Sequence, residues 1–100
     1  MPERVITDTS CLIVLHNIGE LELLHKLYNT VTITPEVAKE FGEPLPKWFN
    51  LSSPANISLK DMLEEYIDAG EASVLALAVE LPGSVAIIWD DIKARKIAIA

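Results

Sequence analysis

Residues 6–15 read ITDTSCLIVL and place an acid, Asp8, between a β-prone start and a long apolar run, with two hydroxyl residues, Thr9 and Ser10, beside it. The apolar run of residues 5–7 is too brief for its alternation to mark a solvated face, so it reads as a short buried strand. Thr9 or Ser10 then stands where a helix cap is needed, with Leu12, Ile13 and Leu15 as apolar members of the helix and Gly19 as its stop. An acid at such a strand-to-helix junction is either a cap or the first ligand of a metal ion, and the remainder of the chain has to separate the two.

Working outward, Leu21, Leu24, Leu27 and Tyr28 recur at helical spacing and predict a second helix over residues 20–28 with these four as its buried stripe. Residues 31–33 read as a strand. Thr34 followed by Pro35 predicts a helix start, because threonine accepts an orphan amide hydrogen bond and proline at the first helical position sacrifices none. Val37, Ala38 and Phe41 give that helix its contacts, and Gly42 with Pro44 and Pro46 ends it. Trp48 and Phe49 fall in a segment without a clear pattern, and residues 50–56, rich in Asn, Ser and Pro, read as loop. Ser58 and Asp61 have capping-box spacing for a helix running to about residue 68, packed through Leu59, Met62, Leu63, Tyr66 and Ile67, which Gly70 interrupts. Asp68 and Glu71 repeat the spacing and open another helix reaching Glu80. After a Pro-Gly turn, residues 85–89 are the strongest strand, and a final helix starts at Asp90. Short strands separated by helices, with no adjacent hairpins, predict an α/β fold of three layers around a mostly parallel sheet. Sites in such sheets collect at the carboxyl ends of strands, where this chain carries Asp8 and the pair Asp90 and Asp91.

Half of the 100 residues are hydrophobic and 23% are charged, which fits one folded domain and argues against disorder. The net charge of −7 works against binding nucleic acid through a broad basic face, although it is compatible with an acidic notch that concentrates cations. The one basic cluster is Lys93, Arg95 and Lys96. A single cysteine, Cys11, rules out a disulfide within one chain. The N-terminus lacks the pattern of a secretory signal and no apolar stretch is long enough to span a bilayer, so a soluble, cytoplasmic protein is expected, with no membrane partner.

A hard divalent cation takes oxygen ligands and commonly only one or two carboxylates, whereas a two-ion phosphoryl-transfer site needs more. Asp8 and Asp91 at strand ends, with Glu40 and Glu71 from helices, are the candidates. Each has an ordinary rival role: Asp90 as a helix cap, Asp68 and Glu71 as a reciprocal cap, Glu40 as a solvated helix acid. Other chemistries have less support. His16 and His25 sit inside helical segments without zinc spacing to Cys11, the glycines are isolated and form no phosphate loop, and Trp48 with Phe49 suits packing better than base stacking.

Four phrases in order, VITDTSCLIVL, TPEVAKEF, DAGEASVLALAVELPG and IIWDDIKARKIA, resemble the landmarks of a PIN domain, with closest similarity to the predicted nucleic-acid-binding branch related to VapC-type toxins. The resemblance covers almost the whole chain. It implies a three-layer α/β/α fold with an acidic pocket at the strand carboxyl ends, and a Mg²⁺- or Mn²⁺-dependent endoribonuclease, as a toxin paired with an antitoxin protein. Residue by residue it assigns catalytic and metal-binding roles to Asp8, Glu40, Glu71 and Asp91, an auxiliary ligand role to Asp90 and supporting roles to Ser10 and Thr9. Lys93 and Arg95 are expected to contact RNA phosphates. Relatives usually continue through a further strand and often a helix, so the resemblance implies a C-terminally shortened single domain over residues 1–100, and Trp89 stands where relatives commonly have a small or hydroxyl residue. An alternative expectation is a weak or inactive interaction protein that dimerises, or binds a protein partner, through the helix face around Leu21, Leu24 and Tyr28.

Overall fold

A computed structural model describes residues 4–88. Within them, β1 (Arg4–Thr7), β2 (Val31–Ile33), β3 (Phe49–Leu51) and β4 (Val85–Ile88) form one parallel sheet in the order β3-β2-β1-β4. The connections are helical: α1 (Thr9–Asn17) and α2 (Glu22–Tyr28) precede β2, α3 (Pro35–Phe41) precedes β3, and α4 (Ile57–Leu63) with α5 (Ala69–Glu80) precede β4. This confirms the α/β expectation. The order steps outward from β1 to β3 and then jumps back, placing β4 on the opposite side of β1. The reversal makes the β1–β4 boundary the switch point of the sheet, where the connecting chains leave in opposite directions, the place in such sheets where ligands bind.

The elements follow from local chemistry. Every residue of β2 is buried, and β1 exposes only Arg4, as apolar and β-branched residues in an interior strand require. Ile6, Val31 and Ile33 meet Leu12, Val37, Val74 and Leu77 in the core. At α3, Thr34 accepts the Val37 amide at 3.2 Å, Pro35 opens the helix and Gly42 closes it at φ 72°, a left-handed conformation that glycine tolerates without a Cβ penalty. Among the described residues no helix is long and apolar enough to cross a membrane.

Four local expectations are corrected. The cap of α1 is Asp8, not Thr9 or Ser10: its backbone is still extended while Thr9 is already helical, and its Oδ1 accepts the Cys11 amide at 2.9 Å. Residues 49–51 form β3 where loop was expected for 50 and 51. The pairing Val31↔Phe49, Thr32↔Asn50 and Ile33↔Leu51 uses backbone groups, so an edge strand tolerates the turn-prone Asn50. The cap of α4 is Asn56, whose Oδ1 accepts the Leu59 amide at 3.0 Å, and not Ser58; the helix ends at Leu63, and Met62 and Tyr66 are exposed. In α2 only Leu24 is buried. Leu21 and Tyr28 pack partly against the core and Leu27 faces outward, so the apolar surface of α1 and α2 is carried by Ile13, Val14, Ile18, Leu23 and Leu27. The helix expected from Asp90, together with Trp89, lies outside the described residues.

Candidate active site

Asp8 joins the sheet to its first helix. Its amide still donates to the Ile88 carbonyl at 3.2 Å, one rung beyond the Thr7↔Ile88 pair, while its carboxylate caps α1. The residue is 1% exposed. Burying a carboxylate is costly unless hydrogen bonds or cations compensate it, and the Cys11 amide is one such hydrogen bond. Beside it Thr9 is 8% exposed and its Oγ1 has no hydrogen-bond partner among the described residues. Ser10 is half-buried in the first turn of α1.

Glu40 and Glu71 come from the neighbouring contact between α3 and α5. Asp68 caps α5, its Oδ1 accepting the Glu71 amide at 2.8 Å, as the spacing predicted. Glu71 is half-buried in the first turn. Glu40 is exposed at the end of α3, and its Oε1 lies where a β-carbon on Gly70 would stand. Gly70 therefore does not interrupt a helix. It is the second residue of α5, and its missing side chain lets the Glu40 carboxylate approach the helix start, where backbone dipoles favour an anion. No single-sequence signal separates this use of glycine from a helix break. A cavity of about 550 Å³ opens beside the contact, lined by Glu36, Lys39, Glu40, Asp68 and Ala69.

The two helices are tied by a pair of hydroxyls, Thr34 and Ser73, of which only Thr34 was visible in the sequence, as a cap. Ser73 Oγ donates to the Gly70 carbonyl at 2.7 Å, so its one proton is used and the 2.7 Å contact with Thr34 Oγ1 has threonine as donor. Thr34 Oγ1 in turn accepts the Val37 amide. The chain of bonds links the start of α3 to the first turns of α5, with both side chains wholly buried. Lys60 of α4 reaches Glu36 at 3.1 Å and Glu64 at 3.0 Å, and these bonds, the one to Glu64 foremost, hold its ammonium above the ordinary lysine range.

The structure thus brings Glu40 and the Asp68–Glu71 turn together and sets Asp8 at the carboxyl end of β1. Among the described residues no group of three or more His, Cys, Asp or Glu side chains is placed to hold a metal ion. Asp90, Asp91, Lys93 and Arg95 lie outside the described residues.

Residues 4–100 match the family description "PIN domain". No curated protein and no solved structure matches the chain. The family is one of nuclease type, associated with nucleic-acid binding and, in general, with divalent metals. Sheet order, the acid at the switch point and a match over nearly the full length agree, and the chain belongs to the PIN domain family.

Proposed function

We propose that the protein is a metal-dependent endoribonuclease of PIN type, acting as the toxin of a VapC-like pair in the cytoplasm. The observation that carries the reading is Asp8: a nearly inaccessible carboxylate at the point where the parallel sheet reverses its strand order. The described donors are of the oxygen type a hard cation takes: the buried Asp8 carboxylate and, beside it, the buried Thr9 hydroxyl, which lacks a described partner. In this reading Asp8, Glu71 and Asp91 would hold Mg²⁺ or Mn²⁺, Glu40 would help hold a second ion, Asp90 would assist, and Ser10 and Thr9 would support the pocket. When bound, such an ion offsets negative charge on the phosphodiester and acidifies a water for attack.

The chain's own residues set the geometry. Asp8 is fixed by its backbone bond to β4 and its cap bond to α1, so its carboxylate cannot swing with a loop. Glu40 is held against Gly70, and the Thr34–Ser73 pair fixes α3 to α5. Lys93 and Arg95 neutralise RNA phosphates beside the scissile bond. Organisation of residues 1–100 as a single PIN-like domain belongs to the same reading.

Asp8→Asn provides the test, since asparagine caps helices as well as aspartate does and removes only the charge. Cleavage of RNA by the wild-type chain with Mn²⁺, lost in Asp8→Asn and in Asp91→Asn at unchanged folding, supports the reading. Equal cleavage in all three rejects it. A second reading is favoured by the outward apolar residues of α1 and α2, Ile13, Val14, Ile18, Leu23 and Leu27: a dimer or antitoxin-binding protein of low activity, using that surface. Partner-dependent folding with no Mn²⁺-dependent cleavage distinguishes it.

A further inference from the structure

Among the described residues, the wall of the cavity beside α3 and the start of α5 holds one basic residue, Lys39. Glu36, Lys39 and Glu40 are spaced i, i+3 and i+4 along α3 and share one side of it, and all three line the cavity with Asp68 and Ala69. The acids are engaged elsewhere. Glu36 Oε2 meets Lys60 Nζ at 3.1 Å, Asp68 Oδ1 accepts the Glu71 amide, and the Glu40 carboxylate rests against Gly70. Lys39 is exposed and makes no ion pair with any described residue.

An arrangement in which Glu36 spans to another helix while the lysine on its own helix stays unpaired has an electrostatic consequence. A protein of net charge −7 whose cavity is walled by carboxylates repels a phosphodiester, so a substrate backbone needs a local cation. The amide in the first turn of α5 that Asp68 caps is already taken. The ammonium of Lys39, a mobile point charge on a long stem, is suited to a phosphate oxygen. Glu36 would compete for that ammonium across one helical turn were it not held by Lys60.

We propose that Lys39 receives a backbone phosphate of single-stranded RNA at this cavity, and that Lys60 keeps it available by holding Glu36. The inference rests on the nuclease reading and adds to it a further residue that contacts the substrate chain, on a different element from Lys93 and Arg95. It separates two lysines by role: Lys39 touches substrate, while Lys60 acts through Glu36 as a positioning residue.

The test measures binding of a short fluorescein-labelled oligouridylate by the full chain without added metal, across a salt titration, and separately its cleavage with Mn²⁺. Lys39→Ala is expected to bind about tenfold more weakly at low salt, with the slope of log affinity on log salt shallower by about 0.7, one single-strand phosphate contact. Lys39→Arg retains the wild-type slope. Lys60→Met shifts in the direction of Lys39→Ala, and adding Glu36→Gln to it restores binding, an outcome that a purely structural role for Lys60 does not produce. In cleavage, KM rises in Lys39→Ala while kcat holds. Wild-type affinity and slope in Lys39→Ala, or no binding by the wild-type chain, overturns the inference. Lys39-dependent binding without any cleavage rejects the nuclease reading and leaves the contact standing; cleavage indifferent to Lys39 does the reverse.

Discussion

Helices α4 and α5 follow one another, each opens with a side-chain cap, and their interiors are opposite. Asn56 caps α4 and Asp68 caps α5 through the same bond to an amide three residues on. Yet α5 buries Gly70, Ala72, Ser73, Val74, Ala76 and Leu77, and α4 buries none of its residues. Small residues let α5 settle against β1 and α3, whereas the longer side chains of α4 hold it away. Polar links at its margins secure α4: Lys60 to Glu36 of α3, and the Glu80 carboxylate of α5 to the amides of Ala55 and Asn56 at 2.7 and 3.2 Å. A cap decides where a helix starts. Volume along its face decides whether it becomes part of the core.

The sharpest way to break this contrast is truncation on each helix. Leu77→Ala removes a side chain that is 1% exposed and is expected to cost about 2–5 kcal/mol by urea denaturation, against less than about 0.5 kcal/mol for Met62→Ala. Similar costs for the two would mean that α4 is as much a part of the core as α5. Next in size is Gly70→Ala. Alanine is the better helix former by about 1 kcal/mol, but its methyl takes the place of the Glu40 carboxylate oxygen. Mn²⁺-dependent cleavage should fall by about 100-fold, the order expected for a small misplacement at a reacting centre, while urea stability stays within about 1 kcal/mol. Full activity in this variant would remove Glu40 from the site.

Asn56→Ala should cost about 1 kcal/mol through loss of the α4 cap. Because that helix is secured from its margins, the loss is expected as faster amide exchange confined to residues 55–63, with α5 protection unchanged. The smallest effect is a pH dependence. The Lys60 ammonium has a folded pKa raised above the ordinary value of 10.5, chiefly by its bond to Glu64 and next by Glu36. Its stabilising contribution is therefore complete below that value and is lost as pH rises through the higher folded pKa. Thermal unfolding followed from neutral to strongly alkaline pH should show a shallow decline that Lys60→Met lacks.

Much of this architecture was legible because its signals are local. Thr34 with Pro35 marked α3, Asp68 with Glu71 marked α5, and residues 31–33 marked β2 to the residue. The failures lie where the deciding partner is distant in sequence. β3 exists because β2 offers it a ladder, which outweighs the turn preference of Asn50. Met62 and Tyr66 have helical spacing but no surface to meet, so periodicity misjudged the depth of α4. Thr9 and Ser10 have the chemistry of a cap but stand one and two residues too late: β1 ends at Thr7, and Asp8, next to it, both keeps a sheet hydrogen bond and caps α1. The question posed by Asp8 thus has a double answer at the level of structure: it is a cap whatever else it binds. For the site, the acid at the carboxyl end of β1, Asp8, was visible from topology alone. The space Gly70 leaves for Glu40, and the Thr34–Ser73 link, depend on two helices meeting and leave no trace in either segment.

That buried link constrains how such a sequence can drift. Because Thr34 donates to Ser73 and Ser73 donates to the Gly70 carbonyl, replacing Ser73 by alanine leaves the buried Thr34 hydroxyl proton without its acceptor and the Gly70 carbonyl without its donor, whereas losing both hydroxyls together costs less than the sum. Positions 34 and 73 should accordingly be inherited as a couple, polar in both or apolar in both, with mixed lineages rare and short-lived.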